Sequence, residues 1–372
     1  MIARITLALG LNLAPGGSGA APPAITVTPE PAPRVTPAAL PMRVTGRVTR
    51  AARPAAGYLR QWPGTYFETR FRGTSAYFRI GQGSAILRVS VDGAAVTRLV
   101  RPRPGYYRAS GLPAGAHRLR IDVISESQAG PTGFNGFYAP SGTTPLPLRA
   151  RARQIEFIGD SHSVGYGNTS PTRNCSEDAV WSTTDTAQGI AALTAGRYGA
   201  DYQVNAISGR GIVRNYNGLS ANTLPLAYPY SLFDKAIPYR DAGWHPQAIV
   251  IALGTNDFST PLHAGEKWVT REALRADYET TYVRFVRTLR ARNPTAFFIL
   301  WATGEPGGEI ETEARIVAER LRAGGESRLA FTIVRGLRFS ACNGHPSLSD
   351  DRAIADAVSL AIDRHPGVWP RD

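Results

Sequence analysis

The sequence predicts two folded domains: an all-β sandwich or jelly roll over residues 42–149, followed by a three-layer α/β domain over residues 150–372. Three observations support this division. A chain of 372 residues is longer than one average domain. Residues 42–149 contain short alternating runs separated by glycine and proline, and they show no convincing helical periodicity. After residue 150, apolar runs alternate with helical patterns, which is typical of a mostly parallel sheet with helices on both faces.

The prediction for the first domain depends on runs of alternating apolar and polar residues and on one turn. The runs cover residues 65–71, 75–80, 85–91 and 117–124. Asp92-Gly93 stands between two such runs, and this dipeptide is a strong hairpin signal in that position. Short strands with turns at this spacing favour a β-sandwich or jelly roll. Aromatic side chains here are candidates for stacking on sugars, although packing is their commoner role; they are Tyr58, Trp62, Tyr66, Phe67, Tyr106 and Tyr107.

The α/β domain is predicted from five strand patterns and four helix patterns. Apolar runs predict strands at Ile155–Ile158, Tyr202–Ile207, Ala248–Leu253, Ala296–Trp301 and Leu329–Val334. Helical periodicity predicts helices at Thr183–Tyr198, Arg271–Arg292, Glu309–Ala323 and Asp350–Arg364. In open parallel sheets, ligands bind at the carboxyl ends of the strands. The residues that follow these strands are therefore the candidates for an active site.

The N-terminal segment is predicted to lie outside both domains. Residues 1–21 resemble an export signal, since Arg4 precedes a short apolar run at Ile5–Ala14 and small residues follow. That run is too short to span a bilayer, and no other stretch is long enough. Residues 22–41 are rich in proline, alanine and threonine, and they predict an extended linker that belongs to neither domain. We therefore expect a soluble, exported protein, periplasmic or extracellular, without a membrane span.

The distribution of charge along the chain argues against one class of partner, nucleic acid. The net charge of +13 comes almost entirely from arginine, because Lys235 and Lys267 are the only lysines. A basic balance is compatible with nucleic acid, an anionic polysaccharide or a membrane surface. The arginines are scattered singly and no nucleic-acid motif is present, so nucleic acid is not expected as a partner. The preference for arginine over lysine is better explained by the composition of the genome than by a binding site.

The stretch from Ile155 to Asn168 reads IEFIGDSHSVGYGN and contains the candidate nucleophile. A glycine next to a serine at the end of a buried strand allows a tight turn that exposes the hydroxyl of Ser161. An ordinary turn, in which Ser161 caps the next helix, fits these residues equally well. Partners further along the chain are needed to decide between nucleophile and cap.

Two later strand ends offer donors for an oxyanion hole. Ser208-Gly209-Arg210-Gly211 follows the second strand, and a glycine there lets a backbone N–H approach a ligand oxygen. Gly254-Thr255-Asn256-Asp257 follows the third strand and supplies a side-chain amide. Each segment is also a common turn sequence. Their position at one edge of one sheet favours an oxyanion hole made of the N–H groups of Ser161 and Gly209 and the amide of Asn256.

A histidine after the fifth strand is the candidate general base for Ser161. His345 stands in the segment Ser340–Ser347, late in the chain and before the last helix. His245 comes before the third strand and His365 after the last helix, so neither lies at a carboxyl end. His162 is next to Ser161 in sequence but is expected to point elsewhere on the turn. The position of His345 makes it the best candidate.

These blocks resemble the SGNH (GDSL-type) hydrolase superfamily, whose four signature residues correspond to Ser161, Gly209, Asn256 and His345. From about Arg43 to the C-terminus, the chain is similar in particular to carbohydrate esterase family 2, the acetyl esterases that join a jelly roll to an SGNH domain. Further similarities are GYGN after the nucleophile, Arg-Asn-Tyr within Gly211–Tyr216, Leu253–Ser259, and His-Pro at His345.

The resemblance implies a flavodoxin-like catalytic domain and the removal of O-acetyl groups from polysaccharide sugars such as acetylated xylan or glucomannan. The acetyl group would pass through Ser161 with His345 as base, and no metal or organic cofactor would be needed. The expected partner is an acetylated polysaccharide or oligosaccharide, bound by a monomer.

One position departs from the family pattern. Members with a catalytic triad have an aspartate two residues before the histidine, where this chain has Asn343; other superfamily members place it three before, where this chain has Cys342. An aspartate would fix the histidine tautomer and stabilise the imidazolium. Without the aspartate, two outcomes are possible. In the first, Ser161 and His345 work as a dyad, and a backbone carbonyl or the Asn343 side-chain oxygen orients the ring. In the second, activity is reduced. We predict an active dyad.

The two cysteines are expected to lie in neighbouring loops of the catalytic face. Cys175 is in the loop after the nucleophile turn, and Cys342 stands just before His345. A disulfide between them would tie the histidine loop to the nucleophile loop. Two separate buried thiols are the alternative, and an oxidising compartment favours the bridge.

Two other functions remain open from the sequence. The first is a non-catalytic carbohydrate-binding protein, which the missing carboxylate supports and the intact serine, donors and histidine oppose. The second is an esterase or transacetylase that acts on a bacterial cell-wall polymer or exopolysaccharide, for which a basic chain would suit an anionic polymer.

Overall fold

The structure, a computed structural model, describes residues 24–33, 37–51, 57–304 and 308–369. The predicted export signal at residues 1–21 lies outside the described residues. The described chain forms an N-terminal sandwich of two antiparallel sheets and a C-terminal domain with a five-stranded parallel sheet. The predicted fold class is thereby confirmed. In the part of the chain that the structure describes, no helix is long and apolar enough to cross a membrane.

The sandwich packs its two sheets around a core of buried aromatic and aliphatic side chains, among them Phe67, Phe78 and Phe134. Its strands within the described residues are β1 (Thr26–Glu30), β2 (Ala38–Ala39), β3 (Arg43–Thr45), β4 (Val48–Arg50), β5 (Tyr58–Arg60), β6 (Tyr66–Gly73), β7 (Ala76–Ile80), β8 (Ile86–Val91), β9 (Ala94–Val100), β10 (Gly105–Ser110), β11 (Gly115–Val123), β12 (Thr132–Ala139) and β13 (Thr144–Pro145). One sheet has the order β1-β10-β7-β12-β5-β4, with β2 paired to β12. The other has the order β13-β6-β11-β8-β9, with β3 paired to β6.

The predicted hairpin is present between β8 and β9. Val91 pairs with Ala94, so Asp92 and Gly93 are the two turn residues, with φ angles of 51° and 90°. Positive φ at both positions is what a type I′ turn requires, and Asp-Gly supplies it at low cost. The aromatic residues of the domain are mostly packed: Trp62, Tyr66, Phe67 and Tyr107 are buried.

The prediction of a linker over residues 22–41 is wrong for its described part. β1 pairs antiparallel with β10 over Thr26–Glu30, and β2 pairs with β12. β1 satisfies the exposed backbone groups of β10, which would otherwise form the edge of the sheet. Ile25 and Val27 pack against the sandwich core, and Pro29 is tolerated because β1 is itself the edge strand. This segment therefore belongs to the β-domain.

The α/β domain has three layers. Its described strands, all parallel in the order β15-β14-β16-β17-β18, are β14 (Gln154–Gly159), β15 (Asp201–Ala206), β16 (Ala248–Ala252), β17 (Phe297–Thr303) and β18 (Leu329–Val334). Its described helices are α1 (Ser161–Val164), α2 (Glu177–Thr183), α3 (Ile190–Arg197), α4 (Leu224–Ala227), α5 (Thr255–Phe258), α6 (Arg271–Arg292), α7 (Glu309–Ala323) and α8 (Leu348–Asp363). Helices α6 and α7 share one apolar core with the sheet, and α3 and α8 share the core on its other face.

The single helix predicted over Thr183–Tyr198 is wrong. The chain instead forms α2, a 3₁₀ turn at Thr186–Gln188 and then α3. Thr184 has an extended backbone, and the Asp185 N–H donates to the side chain of Asn168 rather than to a helical carbonyl. Gly189, also extended, precedes α3. The break turns α2 towards the β-domain and leaves α3 against the sheet.

The two domains share a buried interface. Trp62 of the β-domain lies in the apolar core beneath α4 and α6, and its Nε1 donates to the carbonyl of Tyr230 at 3.0 Å. Arg47 is buried above the ring of Tyr228, 4.1 Å from the centroid. On the opposite side, the hydroxyl of Tyr66 donates to Asp201 at 2.6 Å. Contacts of this kind fix the orientation of the sandwich relative to the catalytic sheet.

Candidate active site

Three strand ends and the turn after β18 meet at one edge of the parallel sheet. β14, β15 and β16 are neighbours in the sheet and are followed by Ser161, Gly209 and Asn256. The segment after β18 returns to this edge and brings His345 to Ser161. The structure thus brings together the four residues singled out from the sequence.

Ser161 occupies a strand-to-helix turn that its neighbours force to be tight. It is the first residue of α1, directly after β14 and Asp160. A Cβ at Gly159 would overlap the Oγ of Ser163 and lie 2.8 Å from the Cβ of the same residue, so only glycine fits where the helix turns back over the strand. The backbone N–H of a first helical residue has no acceptor within the helix. Ser161 therefore combines a hydroxyl and an N–H at the head of the turn.

The ring of His345 lies within hydrogen-bond distance of Ser161, and a backbone carbonyl fixes its tautomer. Its Nε2 lies 2.9 Å from the Oγ of Ser161, and its Nδ1 lies 3.0 Å from the carbonyl oxygen of Cys342. A carbonyl oxygen can only accept, so Nδ1 carries the ring proton and donates it to Cys342. In the neutral ring, Nε2 then has a free lone pair directed at the hydroxyl of Ser161. This is the tautomer that base catalysis requires.

Burial keeps His345 neutral. The pKa of His345 is lowered to about 4, mainly by desolvation and secondly by the nearby His162, while the backbone of Cys342 and Asn343 acts in the opposite direction. Desolvation also lowers the pKa of His162 to about 4. The rings of the two histidines meet edge to face, with centroids 5.6 Å apart. At neutral pH, Nε2 of His345 is therefore available to accept the serine proton.

Asn343 does not orient the histidine. Its exposed side chain points to Tyr166, with Nδ2 3.4 Å from the hydroxyl, while the backbone of Cys342 takes the ring N–H of His345. Asn343 has a left-handed backbone, with φ of 53°, in the turn formed by Cys342–Gly344. That conformation turns its side chain away from Nδ1. Of the two orienting groups considered from the sequence, the structure shows the backbone carbonyl and not the Asn343 oxygen.

Gly209 has a left-handed backbone and lies beside open space. It has φ of 80°, a region that favours glycine, and a Cβ at this position would meet nothing within 4 Å. Asp257 holds the following loop, because its buried carboxylate accepts from the N–H groups of Ile212, Val213 and Arg214. Burial raises the pKa of Asp257 to about 6, and these three bonds oppose the rise.

Asn256 connects the turn that contains Ser161 to the turn that contains Gly209. Its Nδ2 donates to the carbonyl of Arg210 at 2.9 Å and to the carboxylate of Asp160 at 3.2 Å. Asp160 precedes Ser161 and Arg210 follows Gly209, so one amide group ties both turns together. Asp160 also accepts from the N–H of His162 at 3.1 Å, as expected of a structural acceptor in this turn. The oxyanion role of Asn256 stays a prediction; it requires one of these amide hydrogens to be shared with substrate.

The predicted disulfide between Cys175 and Cys342 is present. It joins the loop after the nucleophile turn to the residue whose carbonyl orients His345. Gly167 lies directly against it, since a Cβ there would contact the side chain of Cys342. The backbone N–H of Asn343 donates to the carbonyl of Arg173 at 2.6 Å and adds a second link between the two loops.

Tyr166 is a site residue that the sequence analysis missed. Its ring lies against that of His345, with centroids 4.1 Å apart and planes inclined by 30°. It therefore covers one face of the imidazole and limits the rotation of the ring. Its place in the GYGN motif was a signal for the family but gave no indication of this contact. Among the described residues, no group of three or more His, Cys, Asp or Glu side chains is arranged to hold a metal ion.

Comparison with known proteins identifies a matching family for each of the two domains. Residues 44–148 match the carbohydrate esterase 2 N-terminal domain, and residues 157–355 match the GDSL-like lipase/acylhydrolase family. An acetylxylan esterase/glucomannan deacetylase of Cellvibrio japonicus (strain Ueda107) is 42% identical over 333 residues, which are 89% of this chain and 92% of that protein.

Solved structures give the same assignment. A carbohydrate esterase whose active site displays divergent catalytic and non-catalytic binding functions is similar with a TM-score of 0.83 and 40% identity, over 89% of this chain and 100% of the other. A family two carbohydrate esterase from Clostridium thermocellum, in complex with cellohexaose, has a TM-score of 0.77 at 26% identity, over 88% of this chain and 100% of the other. The chain therefore belongs to carbohydrate esterase family 2 and carries the GDSL-like catalytic domain of those esterases.

Proposed function

We propose that this esterase removes O-acetyl groups from polysaccharide sugars through an acetyl-enzyme on Ser161. The observation that carries the proposal is the dyad: Nε2 of His345 lies 2.9 Å from the serine hydroxyl while Nδ1 is held by a backbone carbonyl. A neutral, correctly oriented imidazole beside a serine at a strand end is the arrangement that acyl transfer needs. The similarity to a named acetylxylan esterase/glucomannan deacetylase supports acetylated xylan and glucomannan as substrates.

The first half of the reaction acylates the serine. Nε2 of His345 takes the proton of the Ser161 hydroxyl as Oγ bonds to the acetyl carbonyl carbon, and the carbonyl electrons move to its oxygen. The N–H groups of Ser161 and Gly209, with the Asn256 amide, stabilise this oxyanion. When the tetrahedral intermediate collapses, the bond to the sugar oxygen breaks, and that oxygen takes the proton from Nε2.

The second half releases acetate. A water molecule gives a proton to Nε2 and its oxygen attacks the acetyl carbonyl. The bond to Oγ then breaks, and Oγ takes the proton back from His345. The imidazolium that forms in each half is stabilised by the partial charge of the Cys342 carbonyl rather than by a carboxylate. The ring is held in the correct tautomer, but the charge stabilisation is smaller than in a triad.

The test is acetate release from 4-nitrophenyl acetate, acetylated xylan and acetylated glucomannan by the wild type, Ser161→Ala and Ser163→Ala. Ser163 is a buried serine of the same helix and serves as the matched control. We expect Ser161→Ala to lose at least about 10³-fold in kcat, as removal of a nucleophile usually does, and Ser163→Ala to retain activity. A wild type that releases no acetate but binds these polymers would instead support the carbohydrate-binding alternative.

We also propose that the protein is exported and acts as a monomer. A disulfide that joins two loops of the active site is favoured in an oxidising compartment. The N-terminal apolar run supports the same location. Fractionation of expressing cells, with mass determination of the purified protein, tests the compartment, the removal of the N-terminal segment and the oligomeric state together.

A further inference from the structure

A loop of the β-domain reaches the turn that contains Gly209. This loop, residues 124–131, connects β11 to β12. Two of its side chains, Glu126 and Gln128, contact Ser208, the residue immediately before Gly209. The β-domain thus touches the catalytic domain next to a predicted oxyanion donor, and neither side chain was singled out from the sequence.

Both backbone groups of Ser208 are bonded to this loop. The carboxylate of Glu126 accepts from the Ser208 N–H at 2.8 Å. Nε2 of Gln128 donates to the Ser208 carbonyl at 3.1 Å and to the Glu126 carboxylate, also at 3.1 Å. The three groups form one connected network. Burial raises the pKa of Glu126, while the bond from the Ser208 N–H and the nearby Arg210 lower it.

The carbonyl of Ser208 and the N–H of Gly209 belong to the same planar peptide unit. In a trans peptide, these two groups point in opposite directions. A bond that fixes the carbonyl oxygen therefore also fixes the direction of the N–H. Gly209 has φ of 80°, and glycine tolerates either orientation of the preceding peptide. A bond to the carbonyl from outside the turn therefore favours one orientation of this peptide over the other.

The loop is rigid enough to supply that restraint. The buried Arg60 donates to the hydroxyl of Ser127 at 2.6 Å, and Gln61 donates to the carbonyl of Gln128 at 3.3 Å. From the catalytic domain, Nε1 of Trp181 donates to the carbonyl of Glu126 at 3.1 Å. The loop is thus anchored on both sides of the domain interface.

We propose that Gln128, supported by Glu126, is a positioning residue for the reaction: it holds the Ser208–Gly209 peptide so that the Gly209 N–H points at the oxyanion. This inference rests on the proposed function, in which Gly209 is an oxyanion donor. In this proposal, a side chain of the β-domain helps to position a group that stabilises the transition state. A carbonyl that accepts from Gln128 also makes the N–H of the same peptide a better donor.

Three substitutions of Gln128 separate positioning from packing. Gln128→Glu keeps the shape of the side chain but replaces its hydrogen-bond donor by an acceptor. Gln128→Ala removes the donor together with most of the side chain. Gln128→Lys supplies a hydrogen-bond donor on a side chain of different shape. Gln128 is exposed, so these changes remove little buried surface. The matched control is Arg98→Ala, because Arg98 is another exposed β-domain side chain that donates to a catalytic-domain carbonyl, that of Ser182, at 2.8 Å.

With 4-nitrophenyl acetate, we expect Gln128→Glu and Gln128→Ala to lower kcat by about tenfold, less than the loss of a whole oxyanion donor. We expect KM to change by less than about twofold, because the bond acts in the transition state. Gln128→Lys should recover most of kcat, and Arg98→Ala should match the wild type. Wild-type kcat in Gln128→Glu, or equal losses in Gln128→Glu and Arg98→Ala, would overturn the proposal.

Crystal structures of the wild type and of Gln128→Glu give a readout that does not depend on activity. We expect the Ser208–Gly209 peptide to rotate in the variant. An unchanged peptide would refute the positioning role even if kcat falls. A wild type without esterase activity would count against the proposed function, whereas the orientation of this peptide would still decide the inference.

Discussion

The nucleophile turn, Gly159–Val164, and the histidine loop, Phe339–His345, are joined by the hydrogen bond between Ser161 and His345 but are built in different ways. The turn has a strand before it and a helix after it, and its conformation follows from residues next to Ser161 in sequence. The loop follows β18 with little regular structure, and its position depends on a disulfide, on backbone bonds and on the ring of Tyr166. Local sterics position Ser161, whereas contacts from residues distant in sequence hold the loop that carries His345.

The first way to test this comparison is to disturb the turn with one methyl group. In Gly159→Ala, the new Cβ would overlap Ser163, and the carbonyl of Ala252 lies only 3.1 Å from it. We expect a loss of about 1–3 kcal/mol in the free energy of unfolding from overpacking. A shift of Ser161 by about 1 Å would lower kcat about 10²-fold. Thermal or denaturant unfolding and 4-nitrophenyl acetate kinetics measure the two effects.

The control for this variant is Gly196→Ala. Gly196 lies within α3, where a Cβ would meet nothing within 4 Å, and alanine is the better helix former. We expect unchanged kcat and equal or slightly higher stability. If Gly159→Ala behaves like this control, the turn is not sterically determined, and the contrast with the histidine loop disappears.

The second test removes the link that holds the loop. Cys175→Ala combined with Cys342→Ala breaks a bridge between residues 167 positions apart in sequence. Loss of a native disulfide that closes a long loop typically costs about 2–5 kcal/mol in the free energy of unfolding. Because the Cys342 carbonyl orients His345, we also expect kcat to fall, by about tenfold.

The reduced wild type provides the comparison for the disulfide variant, since it keeps both cysteine side chains. We expect the two to share the lower stability and the lower kcat. A reduced enzyme with the kcat of the oxidised form would show that backbone bonds and Tyr166 alone hold His345 in place.

The third test separates the ring of Tyr166 from its hydroxyl. Tyr166→Ala removes the aromatic face against His345, and we expect kcat to fall about three- to tenfold because the imidazole gains rotational freedom. Tyr166→Phe keeps the face and loses only the long contact with Asn343, so its kcat should stay near the wild-type value. Equal losses in both variants would assign the effect to the hydroxyl.

The same contrast explains which parts of the site could be predicted from the sequence. Ser161, Gly209 and Asn256 follow buried strands directly, so strand order was enough to bring them together. The orienting group of His345 is a main-chain carbonyl, which has no signature in the sequence. The side chain of Asn343 turns away because of its left-handed backbone, a conformation that the pair Asn343-Gly344 favours, but the sequence does not show where such a turn directs the side chain.

Contacts between segments that are distant in sequence were equally invisible in the sequence. β1 lies in a proline-rich segment, and it forms a strand by pairing with β10 over Thr26–Glu30. Gln128 lies in an exposed loop of the other domain, with a composition that any turn could have. In both cases the partner, distant in sequence, determines the structure.

The pH dependence of kcat/KM measures the protonation of the base in the free enzyme. Burial lowers the pKa of His345 to about 4, and the protonated ring cannot accept from Ser161. Activity should therefore be constant from neutral pH down to about pH 5 and then fall as the ring is protonated, with a midpoint near the pKa. A midpoint at the ordinary histidine value, about 6.5, would show that the ring is better solvated than its packing implies.

Asn343→Asp gives the smallest expected effect and the sharpest test of how the base is oriented. The substitution restores the carboxylate that triad-bearing relatives are expected to have at this position. If the aspartate keeps the backbone and direction of Asn343, it faces Tyr166 rather than Nδ1, and kcat should change by less than about threefold. The added negative charge favours the imidazolium, so the acid limb of the pH profile should move to higher pH. A large rise in kcat would mean instead that the loop rearranges to form a triad, and that the Cys342 carbonyl orients the ring only when no carboxylate competes with it.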